Sequence, residues 1–393
     1  MNSSKKTIFT IAAVLIGLLI SLFIAEIAIR ISNAVDHKER KIWIPDPYLG
    51  MVHAPNNKFR YQDDAKVEFD IQHRTNSFGL MGPEISLEKA NDVFRIILLG
   101  DSYTEALQVE EGKSFARRLE SMLQQDFRVK GKSVEVLNAG VSGYSPIIQY
   151  LYFKRDLAKL NPDLVVLQLF TNDVFEDNKF KAMSLLDSEG FPVKIHTYFL
   201  DKYSKAIYFY RFHQWLLNVS RFYEYVYTWS VKRNKNLPIN KEMRQLDEFH
   251  DINQFFIVQD DRPLFKDITF RDQAWANTEK YLSKLNNLVQ QKDADFALFY
   301  IPTEAQLTLV EYSPHAQMYF SRQANTYFND LLVNFSQTYQ VPFLDLLDRF
   351  ELLKQEGLYY PGDGHLNEKG HRVVAKALYD FLLQNNLLEK IVP

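Results

Sequence analysis

The chain has 393 residues, with 46 Lys+Arg against 49 Asp+Glu for a formal net charge of -3; 46% of it is hydrophobic, 14% aromatic, and it has no cysteine. That length suggests one large domain or two smaller ones, and the apolar fraction is ample for a packed core, which rules out disorder for most of the chain. Balanced charge leaves nucleic-acid binding without electrostatic support. Without cysteine there is no disulfide scaffold, Cys-ligated zinc, iron–sulfur cluster or thiol nucleophile, although an oxidising compartment remains compatible.

Thr7 to Ala25 form 19 consecutive uncharged positions rich in Ile, Leu, Ala, Val and Phe. As a helix, such a run is long enough to cross a hydrocarbon core of about 30 Å. Lys5 and Lys6 precede it and Glu26 and Arg30 end it, so the positive-inside rule puts the N-terminus in the cytoplasm and the rest of the chain outside. Arg30, Lys38, Arg40 and Lys41 oppose that orientation, but long domains translocate largely regardless of charge. A cleaved signal peptide is the competing reading, against which stand the length of the run and the lack of a small-x-small site after it.

Residues 32–92 are polar and punctuated by Pro45, Pro47, Gly50 and Pro55, with an alternating stretch Lys66 to Ile71 and a turn at Asn76-Ser77-Phe78-Gly79, and read as a stem with short strands. From Val93 onward short apolar runs alternate with amphipathic ones. Strands are expected at Val93–Leu99, Ser133–Leu137, Leu164–Leu169, Phe296–Ile301 and Pro342–Leu346. Helices are expected at Lys113–Gln125, Pro146–Leu160, Gln273–Gln291, Ser321–Thr338 and Glu368–Gln384. Fully apolar strands alternating with helices predict an α/β core whose parallel sheet is covered on both faces. The alternation stops across 181–272, an insertion in which 13 of the 32 positions from Tyr198 to Trp229 are aromatic. It reads either as a helical hairpin with an aromatic core or as a surface for sugar, acyl chains or a bilayer. The organisation is thus an anchor (1–31), a stem (32–92), a first core part (93–180), the insertion and a second core part (273–393).

Four motifs sit where strands give way to loops. Gly100-Asp101-Ser102-Tyr103-Thr104 puts a Ser at the carboxyl end of the first strand, the edge where open α/β sheets bind ligands; a helix-capping Ser would look the same. Asn138-Ala139-Gly140-Val141-Ser142-Gly143-Tyr144 follows the second strand. Its glycines let backbone N–H groups face a substrate, and Ser142 is a rival nucleophile. Thr171-Asn172-Asp173 closes the third strand with a carboxamide able to donate to an oxyanion. Asp363-Gly364-His365-Leu366-Asn367 sets an imidazole on a loop with a carboxylate two residues before it, while His371, inside the last helix, reads as structural. Asp101 and Asp173 are alternative orienters. Together these residues supply a hydroxyl nucleophile, a base, its orienter and oxyanion donors.

In this order, G-D-S-Y-T, N-A-G-V-S-G-Y, T-N-D and D-G-H-L-N resemble the SGNH (GDSL-type) hydrolase superfamily over about residues 93–180 and 273–385. The resemblance implies a three-layer α/β/α, flavodoxin-like core, with Ser102 as nucleophile, His365 as base and Asp363 as its orienter. It further implies an oxyanion hole made by the backbone N–H groups of Ser102 and Gly143 and the Asn172 side chain. Two departures stand out: Thr171 replaces the usual Gly before the Asn, and Asp363 lies two rather than three residues before His365, where the three-before position is Gly362. The D-x-H spacing is familiar in membrane-anchored relatives that act on bacterial exopolysaccharides. The implied protein is a single-pass bacterial inner-membrane esterase or O-acyltransferase with a periplasmic or extracellular catalytic domain, acting on O-acyl or O-acetyl groups of envelope glycans. A lipase or lysophospholipase, and an inert glycan-binding assembly protein, are the competing readings. No cofactor, metal or nucleic acid is expected, and no H-E-x-x-H or comparable ligand spacing occurs.

Overall fold

The computed structural model describes residues 3–32, 42–63, 68–126, 133–195, 209–217, 219–233, 268–308 and 326–389. Parts of three expected features lie outside them: Lys66-Val67 of the alternating stretch, 196–208 and 234–267 of the insertion, and the first residues of the helix expected from Ser321. The chain divides into two compact units, 1–41 with 202–251, and 42–201 with 252–393.

The larger unit is built on a five-stranded sheet of β5 (Val93–Gly100), β6 (Ser133–Gly140), β7 (Leu164–Leu169), β10 (Asp295–Tyr300) and β11 (Phe343–Asp345), in the order β11-β10-β7-β5-β6. All four pairings are parallel. In order of appearance this is 2-1-3-4-5, the flavodoxin-like doubly wound arrangement. Parallel strands need crossovers, and the apolar runs dictate that both faces be covered. On one face Ile96, Leu98, Val134, Val136, Leu164, Val166 and Phe299 pack against α3 (Phe115–Gln125) and α11 (Glu368–Gln384), through residues such as Leu119, Leu123, Val374 and Leu378. The side chains between them, Ile97, Leu99, Val165, Leu167 and Leu298, are equally buried and point the other way by the two-residue period. That opposite side carries α4 (Pro146–Tyr152), α5 (Asp173–Ala182), α7 (Ile268–Gln290) and α9 (Tyr327–Tyr339).

Three of the differences between expected and observed elements bear on the fold. β6 runs three residues past Leu137, because Asn138, Ala139 and Gly140 continue in register with Leu98, Leu99 and Gly100 of β5. The expected helix Pro146–Leu160 is α-helical only to Tyr152; a π-helical turn and a 3-10 turn follow, ending at Asn161 with φ +50° before Pro162, which bars continuation. The insertion opens with a small antiparallel hairpin, β8 (Ser184–Leu186) with β9 (Pro192–Ile195), rather than helix.

Residues 42–92 fold into the larger unit as two antiparallel hairpins, β1 (Trp43–Asp46) with β2 (Gly50–His53) and β3 (Lys58–Gln62) with β4 (Asp70–Arg74). Polar contacts tie them to the core: Tyr144 donates to the carbonyl of Met51, Arg155 pairs with Asp46 at 2.5 Å, and His73 Nε2 lies 2.8 Å from the carbonyl of Leu107.

The smaller unit contains α1 (Ser3–Ser32), a helical stretch 209–217 and α6 (Arg221–Arg233). Phe9–Ile31 of α1 has a mean hydropathy of 2.6 and is not buried, so by length and composition it is able to cross a membrane. Between the other two helical stretches His213 is buried, with its Nδ1 2.9 Å from the hydroxyl of Tyr223 and its ring against Tyr227.

Candidate active site

The site gathers at the carboxyl edge of the sheet, at the switch point between the first strand, β5, and the third, β7, where doubly wound folds open a crevice. β5 ends at Gly100, and the short helix α2 (Ser102–Glu105) starts directly on the strand end. Asp101 caps it, accepting the backbone N–H of Tyr103 at 2.9 Å. Glycine is demanded at two positions beneath α2. A Cβ on Gly100 would lie 2.1 Å from Thr104 Oγ1, and one on Gly140 would lie 2.3 Å from the backbone N of Glu105. These close approaches seat Ser102 over the sheet.

Ser102 Oγ lies 2.8 Å from His365 Nε2, and His365 Nδ1 lies 2.6 Å from Asp363 Oδ1. The same carboxylate oxygen accepts the backbone N–H of His365 at 3.2 Å. Gly364 explains how one intervening residue suffices. It adopts φ +81° with open space where a Cβ would stand, so the requirement is conformational rather than steric. The turn is closed by Gly364 N–H to the Tyr360 carbonyl at 2.7 Å and by Tyr360 N–H to the His365 carbonyl at 2.8 Å. Such a relay can pass the hydroxyl proton to an imidazole whose tautomer and orientation a carboxylate fixes.

Asp101 and Asp173 do not meet His365 Nδ1. Asp173 turns back to accept the N–H of Phe170 at 2.8 Å. Burial pushes Asp101 up to about 6 and Asp173 well above the ordinary carboxylate range, with their mutual repulsion adding to the second effect. His371 is buried in α11, where Nδ1 accepts the first N–H of α3, from Phe115, at 3.3 Å, and desolvation lowers its pKa to about 3.

Gly143 and Asn172 lie in the loops after β6 and β7, the two strands that flank β5. Gly143 has φ +75°, and Asn172 caps α5 with its Oδ1 buried and without a hydrogen-bond partner. With Thr171 before it, Asn172 keeps a right-handed helical backbone, its carbonyl accepting from Phe175 and Glu176 at 3.0 and 2.9 Å. Ser142, the rival nucleophile, does not contact His365; its hydroxyl donates to Glu105.

Sequence reasoning missed Glu105 and Tyr103. Glu105 is buried, and its carboxylate gathers the backbone N–H of Ser142 at 2.9 Å, the Ser142 hydroxyl, Trp43 Nε1 at 3.0 Å and His53 Nε2 at 2.5 Å. It ties the first hairpin to the residue just before Gly143. Tyr103 lies under the imidazole, its ring 4.9 Å from that of His365, and its hydroxyl donates to the Gly364 carbonyl at 3.0 Å. The signal available for both was their place inside G-D-S-Y-T-E, on the helix whose seat the glycines define.

Residues 96–205 match the family model described as GDSL-like Lipase/Acylhydrolase. The matched segment takes in Ser102, Gly143 and Asn172 and ends before Asp363 and His365. No curated protein matches the sequence. Among solved structures, the chain is similar to Axe2, an acetylxylan esterase from Geobacillus stearothermophilus, at 13% identity over 76% of this chain and 94% of that one, TM-score 0.39. It is also similar to TesA, at 12% identity over 73% and 97%, TM-score 0.39. A third is LAE5, an alpha/beta hydrolase from the metagenome of Lake Arreo, Spain, at 14% identity over 77% and 98%, TM-score 0.39.

Proposed function

We propose that the chain, whose residues 96–205 match the GDSL-like lipase/acylhydrolase model, is an SGNH-type serine hydrolase and, within that class, a membrane-anchored extracytoplasmic esterase or O-acyltransferase acting on O-acyl groups, acetyl above all, of cell-envelope glycans. The observation that carries this reading is the continuous relay from Ser102 Oγ through His365 to Asp363 at the switch point of the sheet.

In this reading His365 Nε2 accepts the Ser102 proton as Oγ forms a bond to the ester carbonyl carbon, and Asp363 stabilises the imidazolium that results. The carbonyl oxygen becomes an oxyanion held by the N–H groups of Ser102 and Gly143 and by the Asn172 amide, each such donor contributing about 3–4 kcal/mol to the transition state. Collapse expels the alcohol, which takes the proton back from His365. The acyl group then passes from Ser102 to water, or to a sugar hydroxyl where water is excluded.

The D-x-H spacing of Asp363 and His365 supports a glycan substrate through its likeness to anchored relatives acting on exopolysaccharides. Location rests on α1. Its unburied apolar span and the two lysines before it support a single-pass anchor in a bacterial inner membrane with the catalytic unit in the periplasm. Glu26 also supports an uncleaved helix, since it is bonded to Ser220, Arg221 and Phe222.

Rates on 4-nitrophenyl esters of increasing chain length and on acetylated oligosaccharides test the reading. Acetyl esters are expected to be turned over at least tenfold faster than long-chain esters, with the activity lost in Ser102→Ala. A preference for long chains would transfer the protein to the lipase reading.

A further inference from the structure

The smaller unit carries an aromatic surface that the hydrolase chemistry does not use. In the helical stretch 209–217, Phe209, Phe212 and Trp215 recur every three residues and are 45%, 54% and 48% exposed. On α6, Tyr225, Val226 and Trp229 share one face at i, i+1 and i+4 and are 44%, 40% and 52% exposed. On the other side of the first stretch Tyr210 and His213 are buried, His213 against Tyr223 and Tyr227 of α6. The first stretch is thus two-sided, and α6 turns Tyr225, Val226 and Trp229 outward while Tyr223 and Tyr227 contact His213, so the pair presents large apolar and aromatic side chains where a water-facing surface would be polar.

What covers this surface is indicated by where the pair is fastened. The Glu26 carboxylate accepts from Ser220 Oγ at 2.8 Å and from the N–H groups of Arg221 and Phe222 at 2.9 Å each, so a residue of α1 caps the N-terminus of α6. Arg30 closes the contact, with Nε on Glu26 at 2.7 Å and an amino group on the Val219 carbonyl at 3.1 Å. A Glu and an Arg at the end of an apolar span are costly unless partnered, and the helix end partners both. Glu26 comes 17 residues after Phe9 in a span ending at Ile31, which is roughly 25 Å along the helix and within about 8 Å of its outer end. That is the depth at which Tyr and Trp collect in membrane proteins, their rings in the acyl region and their polar edges at the headgroups.

We propose that the helical stretch 209–217 and α6 form an interfacial helix pair lying in the outer headgroup–acyl boundary of the bilayer that α1 crosses, with Phe209, Phe212, Trp215, Tyr225, Val226 and Trp229 seated in lipid. The occupant of the aromatic face is the bilayer itself. This inference rests on the reading of α1 as an uncleaved anchor.

The four tryptophans permit a direct test. The full chain, reconstituted into phosphatidylcholine–phosphatidylglycerol vesicles, is compared in two forms: Trp43→Phe/Trp275→Phe, which leaves Trp215 and Trp229, and Trp215→Phe/Trp229→Phe, which leaves the other two. Lipids brominated near the top of the acyl chain should quench the first form several-fold more than lipids brominated near the chain end, and should leave the second almost unquenched. Flotation after alkaline washing is read on the same samples. A chain that floats but whose Trp215 and Trp229 ignore the bromines overturns the interfacial pair, assigning the face to water or a protein partner, and leaves the anchor standing. A chain that does not float overturns the anchor and the inference with it.

Discussion

Glu105 shows how much of a site is decided by residues that never touch the reacting atoms. Its carboxylate receives four donors from two segments, and one of them is the N–H of Ser142, next to Gly143. Glu105→Gln keeps the shape but presents an NH₂ group to donors, leaving at least one buried donor unmet. The expected result is a fall in kcat of about 10- to 100-fold with KM nearly unchanged, bounded above by the loss typical of a whole oxyanion donor. An unchanged kcat, or a loss carried by KM, would separate Glu105 from the oxyanion loop. Ser102, Asp363 and His365 were singled out in the sequence by their places at a strand end or in a turn, their roles being what the SGNH resemblance implies, and the structure brings the three within hydrogen-bonding distance. Glu105 was not, since a carboxylate in a short helix reads as solvated until the fold buries it. The two-residue spacing of Asp363 and His365 was legible as a departure but not as a solution, which lies in the positive φ of Gly364.

At the scale of elements, periodicity located all five core strands, and α11 agrees with its expected bounds to the residue. What periodicity could not supply was register: β6 lengthens because β5 pairs with it as far as Gly140, a long-range fact. Nor could it supply the break after Tyr152, since Pro146–Leu160 carries an unbroken apolar pattern. The layer formed by α4, α5 and α7 holds a second buried acid, Asp177, whose Oδ1 accepts the N–H of Ile147 at 2.8 Å and whose pKa burial raises to about 7. A carboxyl whose folded pKa lies above its unfolded value near 3.9 holds its proton more tightly when folded. Its contribution to stability is then fully present below about pH 4 and is lost as pH rises through about 7. Asp177→Asn retains the acceptor oxygen and removes the titration. Its Tm, measured against wild type from pH 4 to 8, should gain by a few degrees toward pH 8, whereas a constant offset across that range would contradict the burial argument. His371 works in the opposite sense, its depressed pKa making the fold more stable as pH rises from about 3 to 6.5 in both proteins, so the difference between variant and wild type isolates Asp177.

For the whole molecule, the aromatic surplus resolves into two uses. Rings such as Phe115, Phe299 and Phe350 fill the core of the α/β unit, while the exposed rings of 209–233 belong to the unit that contains the apolar span. Composition revealed the surplus and its concentration in the insertion; only fractional exposure distinguishes a ring used as core from one offered to lipid. The absence of cysteine excludes a thiol nucleophile and is compatible with an oxidising compartment. The central claim is that Ser102 takes the acyl group. It is tested most directly by treating the full chain with a fluorophosphonate and mapping the adduct by peptide mass spectrometry. One adduct per chain on the peptide containing Ser102, abolished in Ser102→Ala and strongly slowed in His365→Ala, is the expected result. An adduct of equal yield in Ser102→Ala, on Ser142 or elsewhere, would contradict the account.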